Sequence, residues 1–252
     1  MRQKCLLLTG CIVLASAISA SAHFDILIGD KPWVDRGEAM TLKYYHGHPF
    51  EVELGNRQPP VSVVAVHENG DVEDLNDSVE KKSIRDHPCY VFTYTPKRSG
   101  DTVIAIESDR HFWEDRDACV DFFTKLVVHC RRSVGWDQEI GHPVEIIPYT
   151  RPYGMRECSV FCGQVKVNGE PAEGIEVEFE RLNETPPTSI PDEPLITGIV
   201  KTDKDGNFQL TLDQEGWWGI GTHAETGTIE HDGKTYDREV RAFFWVYVHP
   251  RH

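Results

Sequence analysis

The sequence predicts an all-β protein made of two antiparallel β-sandwich domains of Ig-like type. Three observations predict it. Short β-branched or alternating runs recur along most of the chain. They are separated by turn dipeptides such as Asn69-Gly70, Asn168-Gly169, Asp205-Gly206 and Asp232-Gly233. Such dipeptides favour hairpins because they accept the positive φ angles of tight turns. The close, regular spacing of the runs is that of sandwich strands.

The first element is an export signal over residues 1–22. Arg2 and Lys4 form a positive start, Cys5 to Ile18 is almost continuously apolar, and Ala20-Ser21-Ala22 is a small-x-small cleavage pattern. The cut is therefore expected before His23. Leu8-Thr9-Gly10-Cys11 has the form of a lipoprotein box, but few apolar residues precede Cys11 and an apolar stretch would remain behind a lipid placed there. Val61 to His67 reads as a strand turned back at Asn69-Gly70. Tyr90 to Thr95 and Asp101 to Glu107 flank the turn Pro96 to Gly100. Asp115 to Phe123 is predicted as a short helix, and Lys125 to His129 and Val144 to Pro148 as further strands. The boundary between the sandwiches is placed at about residue 150, in the stretch Pro148 to Pro152, giving domains over 23–150 and 151–252. In the second, Gly163 to Glu180 is a hairpin on Asn168-Gly169, and Leu182 to Pro194 is a proline-rich loop. Gly198 to Leu212 turns at Asp205-Gly206, and the last hairpin runs from Thr228 to Val248 around Asp232-Gly233.

Composition narrows the function. The formal net charge is −15, and loss of Arg2 and Lys4 with the signal makes it more negative. That argues against nucleic acid and anionic membrane surfaces and favours attraction of cations. No later apolar run is long enough to span a bilayer. The expectation is a periplasmic or secreted protein that does not span the membrane after cleavage. Five cysteines follow the signal: Cys89, Cys119, Cys130, Cys158 and Cys162. An odd number leaves at least one thiol free or bonded to another molecule. Their spacing matches no zinc pattern, so they are read as core or disulfide residues. No nucleophile elbow, His-Glu-x-x-His, phosphate loop or dinucleotide fingerprint occurs, and no catalytic residue is assigned.

Histidine carries the candidate chemistry. A chain beginning at His23 offers a free α-amine and an imidazole from one residue, which together close a chelate ring. Both titrate near neutral pH, so a divalent metal displaces their protons readily. Nitrogen sites of this kind suit Ni²⁺, Co²⁺, Cu²⁺ and Zn²⁺. His46 and His48 are two apart around Gly47; on a strand they face one side. His111 precedes Phe112-Trp113-Glu114 and is a further candidate ligand, while Asp25 and Glu114 are candidate carboxylate partners. His223 follows the double tryptophan and is a weaker candidate. Trp217 and Trp218 are read as packing residues.

Taken together, Ala22-His23-Phe24, His48-Pro49-Phe50, Thr95-Pro96-Lys97, Phe112-Trp113-Glu114, Thr150 to Gly154 and Gly216-Trp217-Trp218-Gly219 resemble exported proteins of the nickel-uptake, NikM-subunit-like family. The likeness keeps its order over nearly the whole chain after the signal. Gly163 to Val167, Gly169 to Gly174 and Thr202 to Phe208 are similar to a carboxypeptidase regulatory-like β-sandwich. The resemblance implies a metal-handling accessory protein for nickel or cobalt uptake, with membrane transporter subunits as partners, and it ranks His48 above His46. Some members of that family carry a C-terminal membrane helix, which is not seen before His252. Two other readings fit the residues: a copper enzyme with an N-terminal histidine brace, and a surface interaction module without metal.

Overall fold

The computed structural model describes residues 23–114 and 116–251. The signal segment with its cleavage pattern, and Asp115, lie outside the described residues. Among the described residues nineteen strands follow one another. In the first half they are β1 (Phe24–Gly29), β2 (Met40–His48), β3 (Glu53–Gly55), β4 (Ser62–His67), β5 (Val72–Asp74), β6 (Glu80–Ile84), β7 (His87–Tyr94), β8 (Thr102–Glu107), β9 (His111–Trp113) and β10 (Ala118–Val128). Then come β11 (Val144–Pro148), β12 (Met155–Arg156), β13 (Ser159–Val167), β14 (Glu170–Pro171), β15 (Glu176–Arg181), β16 (Gly198–Lys201), β17 (Asn207–Leu212), β18 (Gly216–His231) and β19 (Lys234–His249). The expected all-β sandwich architecture is present. Among the described residues no helix is long and apolar enough to cross a membrane.

Three sheets stack. The middle one runs β16-β15-β18-β19-β10-β8-β4-β5, with β12 on β19 and β9 on β10. One flanking sheet runs β1-β2-β7-β6 with β3 on β2; the other runs β11-β13-β14 with β17 on β13. Side-chain alternation builds a core on each face of the middle sheet. Phe243 and Trp245 of β19, with Phe122 and Leu126 of β10, join the core shared with β1, β2 and β7. Their neighbours Phe244, Val246, Phe123 and Val127 join the opposite core, with Ile146, Phe161 and Leu210. Each large side chain so buried contributes roughly 1.5–3 kcal/mol.

The division expected near residue 150 is therefore not a boundary between two successive cores. Strands from both sides of it share the middle sheet and feed both cores. The seam is β10 against β19, and it is parallel, from Ala118 opposite Asp237 to Leu126 opposite Trp245. Hairpin turns enforce antiparallel pairing only between strands they join, and β10 and β19 are far apart in the chain. The helix expected over Asp115 to Phe123 is likewise corrected: its described residues from Ala118 on belong to β10, an eleven-residue strand. That strand is covered on both faces and has a neighbour on each edge. Its apolar residues therefore do not alternate with polar ones, Asp121, Thr124 and Lys125 being buried as well, and such a pattern does not distinguish strand from helix.

The predicted turns appear where the dipeptides stand. Asn168-Gly169 and Asp232-Gly233 have positive φ at both residues, the geometry that matches the right-handed twist of a hairpin. Among the described residues all five cysteines are free thiols; Cys89, Cys119 and Cys130 are buried and Cys158 is exposed.

Candidate metal centre

β1 and β2 pair antiparallel, with Phe24 opposite Gly47 and Asp25 opposite His46. One step beyond, His23 stands across from His48. Period-two alternation then puts His23 and Asp25 on one face of β1 and His46 and His48 on the same face of β2. The histidine pattern is thus converted by register into a cluster. Nε2 of His23 and Nε2 of His48 are 3.1 Å apart. The His23 ring lies 4.0 Å from that of His48 and stacks 5.3 Å from that of His46, at an interplanar angle of 13°.

Below the histidines is a buried carboxylate. Asp25 is fully buried. Its Oδ1 meets Nδ1 of His46 at 2.7 Å. Its Oδ2 accepts from Tyr44 Oη at 2.5 Å, Arg57 Nη2 at 2.8 Å and Ser108 Oγ at 3.2 Å. Burial alone pushes this carboxyl pKa upward, but the Arg57 guanidinium, with His46 and Tyr44, outweighs burial and holds it well below the usual carboxylate range. Asp25 is therefore ionised and fixed. Arg57 is held in turn by the Phe122 ring, 3.7 Å from its Cζ. With Nδ1 directed at Asp25, Nε2 is the atom of His46 that can address an ion, the arrangement by which a carboxylate orients a metal-binding histidine.

The backbone around the cluster is constrained from two sides. A Cβ on Gly47 would lie 2.3 Å from the carbonyl oxygen of Glu53, so glycine is required where β3 crosses β2. Phe24, next to His23, packs against Phe243 and Trp245. A Cβ on Gly219 would lie 2.8 Å from both Phe24 and Trp245. The glycine that closes Gly216-Trp217-Trp218-Gly219 thus makes the space that seats β1. Trp218 is buried in the other core, as a packing residue, and Trp217 is half-buried against Tyr247. The turn after His48 is docked by the C-terminal half of the chain. Glu180 accepts from the Phe50 N–H at 2.7 Å, and Asn183 donates to the Phe50 carbonyl at 2.6 Å. The Asn183 N–H reaches the Pro49 carbonyl at 3.0 Å. Val52 in this turn has φ 59°, a strained conformation for a β-branched residue that persists only when its surroundings hold it.

His23, His46 and His48 are thus brought together. His111 is placed elsewhere, on the short edge strand β9, where its ring packs edge-on to Trp113. Glu114 is beyond that strand, with its carbonyl near Lys234. His223 is exposed on β18. Arg57, Tyr44, Ser108, Glu180 and Asn183, none of them read from the sequence as a site residue, complete the surroundings. Only the register and the sheet packing bring them in, so no local sequence signal marks them. Among the described residues, no group of three or more His, Cys, Asp or Glu side chains is already drawn round one point. The His23 and His46 rings stack, and Nδ1 of His46 is engaged by Asp25. The pair that faces nitrogen to nitrogen is His23 and His48. Two metal–nitrogen bonds of ~2.0–2.1 Å at a tetrahedral angle set their nitrogens ~3.3 Å apart, close to the 3.1 Å observed.

The profile of a family described as a domain of unknown function, DUF4198, matches residues 20–226. No curated protein matches the chain. Among solved structures, PA1324 of Pseudomonas aeruginosa is 15% identical, with 39% of this chain and 86% of that one covered, at a TM-score of 0.25. A DUF4785 family protein of Legionella pneumophila is 9% identical, with 78% and 51% covered, at a TM-score of 0.30. Trypsin-activated α2-macroglobulin of Escherichia coli is 13% identical, with 89% and 16% covered, at a TM-score of 0.29. The chain spans about half of the Legionella protein and about a sixth of the macroglobulin. At TM-scores this low, none of these likenesses carries an argument about the site.

Proposed function

This chain belongs to the DUF4198 family, and we propose from its histidine cluster that it is an exported accessory protein that binds a divalent metal, nickel or cobalt, for uptake. The observation that carries the reading is the 3.1 Å approach of the His23 and His48 imidazole nitrogens. Cleavage before His23 adds the α-amine as a further nitrogen, and His46, oriented by Asp25, adds its Nε2. The resemblance to the NikM-subunit-like proteins supports nickel or cobalt as cargo and membrane transporter subunits as partners. The role is carrying and not catalysis. An ion held at the exposed ends of β1 and β2 by nitrogen donors can be loaded and released, as a carrier requires. The acidic net charge of the protein raises the local cation concentration.

The test is calorimetric titration of Ni²⁺, Co²⁺ and Cu²⁺ into protein beginning at His23, protein extended by one residue before it, and His48→Ala. Extension turns the amine into an amide and should weaken binding at least tenfold, as should His48→Ala. Equal affinity in all three forms overturns the site. Tight copper binding with redox turnover instead supports an oxidising copper enzyme, and absence of any metal affinity supports an interaction module.

A further inference from the structure

A second site is built around the Thr150 to Gly154 motif, which the histidine cluster does not use. A cavity of about 350 Å³ lies between the loop after β1, the end of β10 and the approach to β12; Trp33, Asp35, His129, Arg131, Arg151 and Tyr153 line it. Its floor is fixed by Asp101, which is 1% exposed. One carboxylate oxygen of Asp101 meets Nδ1 of His129 at 2.6 Å, and the other accepts from the Tyr153 hydroxyl at 2.7 Å. The two rings stack face to face, 3.9 Å apart at 17°. A buried carboxylate costs desolvation that apolar packing avoids. Here it sets the orientation of two lining side chains. With Nδ1 turned to Asp101, the Nε2 edge of His129 faces away from that buried partner.

The walls have a definite chemistry. Trp33 is 47% exposed, an unusual place for a large aromatic side chain; one of its contacts is the His249 ring at 4.9 Å. Two guanidiniums stand beside it in a protein of net charge −15. Arg131, held at φ 63°, is neutralised by Asp35 at 2.8 Å. Arg151 sits 5.1 Å from the centroid of the Tyr153 ring and donates to the Ser133 hydroxyl at 3.3 Å, and among the described residues it forms no ion pair with a carboxylate. The pocket therefore offers one guanidinium held in no ion pair among the described residues, one oriented imidazole and one exposed indole face.

We propose that this pocket binds a small organic anion in which a carboxylate adjoins a planar ring, with the ring on Trp33 and the carboxylate between Arg151 and His129. A single guanidinium outside any ion pair matches a monoanion, and its fork accommodates a carboxylate in bidentate fashion. The volume is that of a small-ligand site. The pocket is independent of the histidine cluster.

Calorimetric titration with naphthalene-2-carboxylate, its neutral carboxamide and inorganic phosphate tests the assignment, using the full mature protein, Arg151→Gln and Trp33→Ala. Unfolding curves of both variants establish that the fold is retained. The carboxylate should bind saturably at one site. The carboxamide should bind at least tenfold more weakly, phosphate more weakly still, and each substitution should reduce carboxylate affinity at least tenfold. Carboxamide binding equal to that of the carboxylate removes the anion from the proposal. Phosphate binding tighter than the carboxylate removes the ring. No carboxylate binding, or binding that neither substitution weakens, overturns the site.

Discussion

The buried carboxylate of Glu180 on β15 accepts a 2.7 Å hydrogen bond from the backbone N–H of Phe50, two residues after His48. Its other oxygen accepts from Thr197 Oγ1 at 2.8 Å. Through Glu180, and through Asn183 beside it, the second half of the chain fixes the turn that carries a proposed ligand. That turn contains the strained Val52, so its geometry depends on these distant contacts.

Burial pushes the Glu180 pKa up to about 7, against the lowering effect of its two hydrogen bonds. An acid whose folded pKa is raised stabilises the fold below its unfolded value, 4.5, and that contribution is lost as pH rises through about 7. The folded protein should therefore lose stability between these limits, by up to about 3 kcal/mol. Glu180→Gln keeps an acceptor for Phe50 and removes the titration. Urea unfolding at pH 5 and pH 7.5 should show a smaller difference in the variant than in the parent protein; an equal difference places the titration elsewhere.

Asp25→Asn should be among the most damaging substitutions. It leaves Arg57 buried without its charge partner, and breaking a buried pair costs about 3–5 kcal/mol. The folded pKa of Asp25 is depressed, so its contribution is present above the unfolded value and is lost as pH falls through the folded one. Urea midpoints at neutral pH should drop sharply, and an unchanged midpoint would show that the network does not support the fold.

Gly219→Ala introduces a methyl group 2.8 Å from Phe24 and Trp245. Overpacking of this kind costs about 1–3 kcal/mol. Because Phe24 adjoins His23, nickel affinity should fall together with thermal stability. Gly174→Ala meets no atom within 4 Å but sits at φ 73°, so it loses stability through backbone strain alone. It should leave nickel affinity intact, and equal metal losses in both variants would remove Phe24 from the positioning of His23.

His46→Ala and His111→Ala should differ. His46 is stacked on His23 and oriented by Asp25, whereas His111 packs on Trp113. Nickel titration should show weakened binding for the first and parent-like binding for the second. The reverse order would move the site to β9.

What the sequence determined by itself is local. Asn168-Gly169 and Asp232-Gly233 specify tight turns because few other pairs tolerate positive φ at both positions. Alternation specifies strands, and His46-Gly47-His48 specifies two side chains on one face. Partner choice was not legible. Nothing near Asp25 announces Arg57 or Ser108, and nothing near Phe50 announces Glu180, because these meetings follow from register and sheet stacking. The same cause hid the middle sheet. The parallel seam of β10 and β19 joins strands that no turn connects, and burial on both faces erased the alternation that marks a strand in Ala118 to Val128. Short-range steric preferences are written residue by residue. Long-range pairing is decided by which arrangement buries both faces of the middle sheet at once, a property of the whole chain and of no segment within it.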